Sequence, residues 1–253
     1  AAGECPPILP ICCSAESSPA RRSLRSLSTA ATTTDRVDAA VIARFARSHE
    51  PQPWNPPPRE LRELQVLVRY RENLLDHRNQ LSNRFTEGRL IPSVATSLET
   101  LIAAVDEEIK SVERQIREHI DQHPTLKTDV DLLKSITGIG DQTAVQLLAE
   151  ISQLHDYKSS RQVIAYAGLS PRNITSGTSV RGRPRLSKIG NSRIRKALYW
   201  PAITALKHNP IVRALGERLT KRGKHSLVII GAAMRKLLTL AYGALKSGKP
   251  FDE

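Results

Sequence analysis

Aromatic side chains are scarce in this 253-residue chain: two Trp, five Tyr and three Phe make up 4% of it. That scarcity argues against a binder that works mainly by stacking bases on rings, and it leaves phosphate contact as the expected mode for any nucleic-acid partner. Cysteine is absent after Cys13. Cys5, Cys12 and Cys13 match no common zinc spacing and have no histidine beside them, so they read as free thiols. The cysteine-free remainder suits a reducing cytoplasm. No apolar run approaches the ~20 residues that a bilayer crossing needs, so no membrane partner is expected. His119, His123, His155, His208 and His225 show no metal-ligand spacing.

Acids, too, are missing from one region. Between Pro171 and Pro250 there are 18 Lys and Arg and a single acid, Glu217, although the whole chain carries only +13. The rest of the chain is therefore slightly acidic. This asymmetry predicts a dedicated face for a polyanion, with DNA or RNA preferred to a membrane surface.

The pattern along the chain predicts a mainly α-helical protein. Residues 1–33, rich in Ala, Ser, Pro and Arg, show no period and are expected to be disordered or aberrant. A short helix is predicted over 34–48 (TDRVDAAVIARFARS), started by Thr34 or Asp35. The proline-rich run 51–58 reads as a stiff linker. Two long helices follow over 59–85 and 93–121. In the second, Leu98, Ile102, Val105, Ile109, Val112 and Ile116 recur at alternating four and three, the spacing of a coiled-coil seam. An antiparallel helical hairpin or a dimerising coiled coil is expected over 59–123. Its charged face (Glu107, Glu108, Lys110, Glu113, Arg114, Arg117) reads as solvated surface. A compact helical domain is expected over 124–253. It has a polar loop or hairpin at 168–190, a helix over 191–207 broken or kinked at Pro201, and a last helix whose stripe of Leu227, Ile230, Met234, Leu237, Ala241 and Leu245 faces the core.

Three motifs are candidates for chemistry. Thr137-Gly138-Ile139-Gly140-Asp141 lies between two helical segments as a helix-hairpin-helix-like turn. Gly138, Gly140 and Thr143 would then present backbone N–H groups to one phosphate, or the glycines would simply turn a corner. Asp35 and Asp38, at i and i+3, place two carboxylates on one side of a helix. That is half of a plausible Mg²⁺ site, though Asp at a helix start is more commonly a cap. Ser176, followed by Gly177, Thr178 and Ser179, sits just before Arg181, Arg183, Arg185 and Lys188. A hydroxyl in a cationic setting suits nucleophilic attack on a phosphodiester, whereas a bare Ser/Gly/Thr turn would be solvated loop. The four cations, extended by Arg193 and Lys196 beyond a helix start at Gly190-Asn191, read as phosphate contacts.

The segments SITGIGDQTAVQLLAEI, RQVIAYAGLSPRNITSGTSVRGRPRLSKIGNSRIRKALYWPA and AAMRKLLTLAYGALKSGKPFD, together with Trp54 and TDRVDAAVIARF, resemble the bridge-RNA-guided serine transposases of bacterial insertion sequences. The resemblance runs from about Thr34 to the end. It implies a RuvC-like DEDD domain, of which 34–50 would be a remnant, followed by a C-terminal transposase domain. It implies that Ser176 attacks DNA to form a covalent protein–DNA linkage, and that Asp35 and Asp38 are the last two acids of the DEDD set holding Mg²⁺. It also implies a structured guide RNA, a homodimer or homotetramer formed through the coiled coil, and a cytoplasmic, nucleoid-associated location. The first two acids of the set have no counterpart in the 34 residues before Asp35. The expectation is therefore an N-terminally truncated transposase whose own activity is in question. The alternatives are a non-catalytic nucleic-acid-binding module using the glycine turn and basic face, and a structural coiled-coil protein.

Overall fold

The computed structural model of the protein describes residues 35–50, 56–88, 91–151, 157–176 and 180–252. These residues form nine helices and one two-stranded antiparallel sheet, so the fold is mainly α as expected. Helix α1 spans Asp35–His49. Helices α2 (Arg59–Thr86) and α3 (Pro92–Gln122) pack along each other as an antiparallel hairpin, the arm. Both helices begin at or just after proline, which has no N–H to waste in a first turn.

The expected seam is the inner face of the arm. Ile109, Val112 and Ile116 are buried, with Leu98, Ile102 and Val105 half-buried toward the tip. Leu64 and Val68 of α2 are buried opposite, and each such side chain contributes about 1.5–3 kcal/mol through water exclusion. Charged pairs fix the antiparallel register: Arg78 with Asp106, and Arg71 with Glu113 at 2.6 Å. Glu113 is therefore no solvated bystander. Its side chain is only 28% exposed, because the partner helix supplies a guanidinium at that level.

The compact domain begins at the foot of the arm. Helix α4 (Pro124–Lys134) leads through the glycine turn into α5 (Asp141–Glu150), and α6 (Ser160–Tyr166) follows. Strands β1 (Pro171–Ser176) and β2 (Val180–Leu186) form a hairpin with a register shift between Arg172 and Ile174. Helices α7 (Ser192–His208), α8 (Pro210–Lys221) and α9 (Ser226–Ser247) complete the domain.

Three sequence expectations change here. α7 continues through Pro201 without a break. The proline gives up one hydrogen bond, but Leu198, Pro201, Ala202 and Ala205 are all buried, and that packing holds the helix on both sides. In α9 the core stripe starts later than expected, because Leu227 is 62% exposed in the first turn, before the helix reaches its neighbours. Among the described residues α9 is also the one helix long and apolar enough to cross a membrane, which the run-length reading of the sequence missed. Its apolar length is used otherwise: Gly231, Ala233, Met234, Leu237, Leu238, Ala241, Ala244 and Leu245 are buried against α7, α8 and α6.

Candidate nucleic-acid interface

The β-hairpin is the element that carries the serine motif. Its register sets Ser176 opposite Val180 and Thr175 opposite Arg181. Ser176 is thus the last residue of β1. Gly177, Thr178 and Ser179 lie outside the described residues, as do the side chains of Ser176, Arg181 and Arg183. The backbone alone places the serine one residue pair from the first arginine of β2. At the base of the hairpin, Arg172 pairs with Arg185 and Pro171 with Leu186. Two like charges directly opposite each other repel. Arg185 and Lys188 are both exposed, and neither forms an ion pair with a described acid.

The hairpin is tied into the domain at its root. Ser187 N–H donates to the Ser170 carbonyl (2.9 Å), Lys188 N–H to Gly168 (3.1 Å) and Asn191 N–H to Tyr166 (2.7 Å). Gly190 has φ +145°, and a Cβ there would lie 2.2 Å from the Tyr166 carbonyl oxygen, so no other residue fits. Arg195 closes the root from beneath by donating to the carbonyls of Ala167, Gly190 and Asn191. Burial among these carbonyls lowers the guanidinium pKa from its ordinary value.

The helix start expected at Gly190-Asn191 is present. The Asn191 side-chain oxygen accepts from Arg193 N–H at 2.9 Å and Ile194 N–H at 3.3 Å, which satisfies two first-turn donors. The Asn191 amide donates to Glu150 at 2.6 Å, and Arg69 of the arm grips the same carboxylate at 2.9 and 3.2 Å. Glu150 is 2% exposed and is the charged residue at the centre of the joint between arm and domain. Burial pushes its carboxyl pKa up. The hydrogen bonds from Arg69 and Asn191, with the charges of Arg69 and Arg193, outweigh that and hold it below the ordinary value. Nothing along the chain marks this residue, because Glu150 is simply the last polar position of a short helix.

The joint also takes up two of the expected phosphate-binding cations. Arg193 bonds Glu72 at 2.9 Å, and Lys196 bonds Asp76 at 3.0 Å and Glu72 at 3.2 Å. The hydrogen bond that Lys196 donates to Asp76 raises its pKa, and the one it donates to Glu72 adds to this against some desolvation. Arg193 and Lys196 thus lie on a face that α2 already supplies with acids.

The glycine turn divides as well. Gly138 has φ +108°, and a Cβ there would meet the Ala205 Cβ of α7 at 2.8 Å, so this glycine is where turn and helix touch. Gly140 starts α5, is exposed, and has nothing within 4 Å of an added Cβ. Thr143, half-buried, lies in the first turn of α5. Asp141 at the same helix start pairs with Lys134 at 2.6 Å.

Asp35 and Asp38 fall in the first turn of α1. The Asp38 side chain is exposed, and that of Asp35 lies outside the described residues. Among the described residues no three His, Cys, Asp or Glu side chains converge as a metal site, so these two aspartates are not joined by a third ligand there.

Comparison with known proteins connects the two ends of the chain. The sequence model of the transposase IS116/IS110/IS902 family matches residues 130–217, which covers the glycine turn, the β-hairpin and α7. A second transposase model, for the DEDD domain of IS110-type proteins, matches residues 17–88, which includes Asp35 and Asp38. The pilin gene-inverting protein of Moraxella bovis is 32% identical over 224 residues, 88% of this chain and 69% of that protein. Its counterpart in Moraxella lacunata matches to the same extent. The insertion element IS110 43.6 kDa protein of Streptomyces coelicolor is 29% identical over 164 residues, 64% of this chain and 38% of that one. With a 32% identical relative covered over most of its length and both characteristic segments matched in order, the chain belongs to the IS110/IS116 family of transposases.

Proposed function

We propose that this protein moves DNA by nucleophilic attack of the Ser176 hydroxyl on a DNA phosphodiester. Membership of a transposase family supports DNA transposition as the process. The observation that carries the finer reading is the hairpin register, which brings the end of β1 beside the arginine-bearing start of β2 within an almost acid-free part of the chain. In the proposed step the seryl oxygen bonds to phosphorus while the bond to one strand oxygen breaks. The serine hydroxyl gives up its proton as the bond to phosphorus forms, and the strand oxygen leaves as an alkoxide that takes up a proton to become a free hydroxyl. The phosphoester is conserved, so a strand hydroxyl can later displace the serine and rejoin the DNA. Arg181, Arg183, Arg185 and Lys188 would neutralise the phosphate and the charge that develops on it. Gly140 and Thr143, at the open start of α5, would hold a neighbouring backbone phosphate.

The DEDD match points to a divalent metal, and Mg²⁺ on Asp35 and Asp38 is the specific proposal. These two carboxylates do not make a complete site by themselves, and the described residues add no third. A guide RNA that delegates target choice to base pairing, an oligomer assembled through the arm, and action in the cytoplasm on nucleoid DNA complete the reading. The decisive test is Ser176→Ala incubated with supercoiled DNA, guide RNA and Mg²⁺, followed by denaturing gels. The expected result is loss of any covalent protein–DNA species with salt-dependent binding retained. An adduct that survives the substitution removes Ser176 from the mechanism.

A further inference from the structure

The inward face of α7 is packed with Ile194, Ala197, Leu198, Pro201, Ala202 and Ala205. Its outward face is a stripe at helical spacing: Arg193, Lys196, Trp200, Thr204 and Lys207. Trp200 is 72% exposed, the highest value among the exposed large hydrophobic side chains of the described residues. An indole left in water forgoes about 1.5–3 kcal/mol of burial, so its position at the middle of a helix face needs a reason. The ring is not loose. Tyr199, itself packed against the core, meets it in a T-shaped contact with centroids 5.6 Å apart and planes at 84°. Lysines flank it one turn before and two turns after, along a stripe of about 21 Å. Glu72 and Asp76 hold Lys196 and Arg193 on one side, while Lys207 on the other side is exposed with no ion pair to a described acid.

We infer that Trp200 is a stacking platform for an unpaired base of a DNA strand, with the exposed Lys207 holding a phosphate farther along the same helix face. An exposed ring with a free cation on the same face matches the alternation of base and phosphate in a single strand, and it fits no part of a closed duplex except its backbone. Exchange of strands between two duplexes leaves bases transiently unpaired, so the inference rests on the proposed reaction with DNA. It adds a site about which the serine hairpin says nothing.

The test uses the full chain carrying Trp54→Phe, which leaves Trp200 as the sole indole. A short single-stranded oligodeoxynucleotide is expected to quench its emission. The same strand with abasic positions, and the blunt duplex, are expected to quench weakly. Trp200→Ala should weaken single-strand binding about tenfold and Trp200→Phe only about threefold, with the thermal midpoint of both unchanged because the ring is outside the core. Unaltered single-strand affinity in Trp200→Ala, or equal quenching by the abasic strand, overturns the platform while leaving the serine chemistry untouched. Tighter binding of RNA of the same sequence overturns the assignment to DNA. A blue shift with protein concentration alone shows a second copy covering the ring and overturns it too. Failure of all three DNA probes to bind overturns both the platform and the reading on which it rests.

Discussion

The inner joint around the start of α7 and the outer edge of the β-hairpin are both basic, but they use their charge in opposite ways. At the joint, Arg69, Arg193 and Lys196 meet Glu150, Glu72 and Asp76. At the edge, Arg185 and Lys188 face solvent without a described acid beside them. The glycine turn repeats the division: Gly138 is consumed by contact with Ala205, and Gly140 is open. A cation matched by a buried acid stabilises the fold and has little left for a phosphate. A cation without such a partner carries a counterion that a phosphate can displace. Charge along the sequence therefore overstates the binding face, and pairing decides which part of it is free.

Substitution at the joint should give the largest effect on stability. Glu150→Ala is expected to cost about 3 kcal/mol in urea denaturation, since it leaves Arg69 and the Asn191 amide without their shared acceptor. A loss near zero would mean that the joint is ornamental. The pH dependence carries the same signature. Because the Glu150 pKa is held below its ordinary value, its contribution is fully present above the unfolded value of about 4.3 and is lost as pH falls through the folded value. The gap in Tm between the native protein and Glu150→Gln should therefore narrow below about pH 4.

Next in size, Gly138→Ala should destabilise by about 2 kcal/mol, through the contact with Ala205 and the positive φ, whereas Gly140→Ala should stay within about 0.5 kcal/mol. Equal losses at the two glycines would erase the division within the turn.

At the edge, the joint substitution of Arg185 and Lys188 by Ala should leave the thermal midpoint unchanged. It should flatten the dependence of log K for DNA on log salt by about 1.8, the value for two phosphate contacts. An unchanged slope would remove both residues from the interface. The smallest effect belongs to Lys196→Ala. Its pair with Asp76 is more than half exposed, so a loss of only about 0.5 kcal/mol is expected, read by the same denaturation curves.

The helical class and the long helices were legible because periodic apolar residues mark a buried stripe whatever the stripe packs against. The two long helices of the arm, the helix start at Asn191 and a loop or hairpin within 168–190 followed from local signals of this kind, while the pairing of the two helices with each other and the strands came from the structure. Glu150 was not legible, since its importance comes from Arg69, 81 residues earlier, and Asn191, 41 residues later. Trp200 was not legible either, for a related reason. Low aromatic content argued against stacking as a general mode, but one exposed ring at one place is a matter of orientation, which composition does not report.

Local chemistry along the chain was sufficient to determine a helical protein with two long consecutive helices, a serine-rich motif and an excess of positive charge in its last third. Apolar period, capping side chains and charge counts act over a few residues and need no partner. Only tertiary structure decided which cations remain free, which glycine is a contact and which aromatic faces water. Each of those depends on a side chain brought from a distant part of the chain, and that meeting exists only once α2, α5 and α7 have packed together.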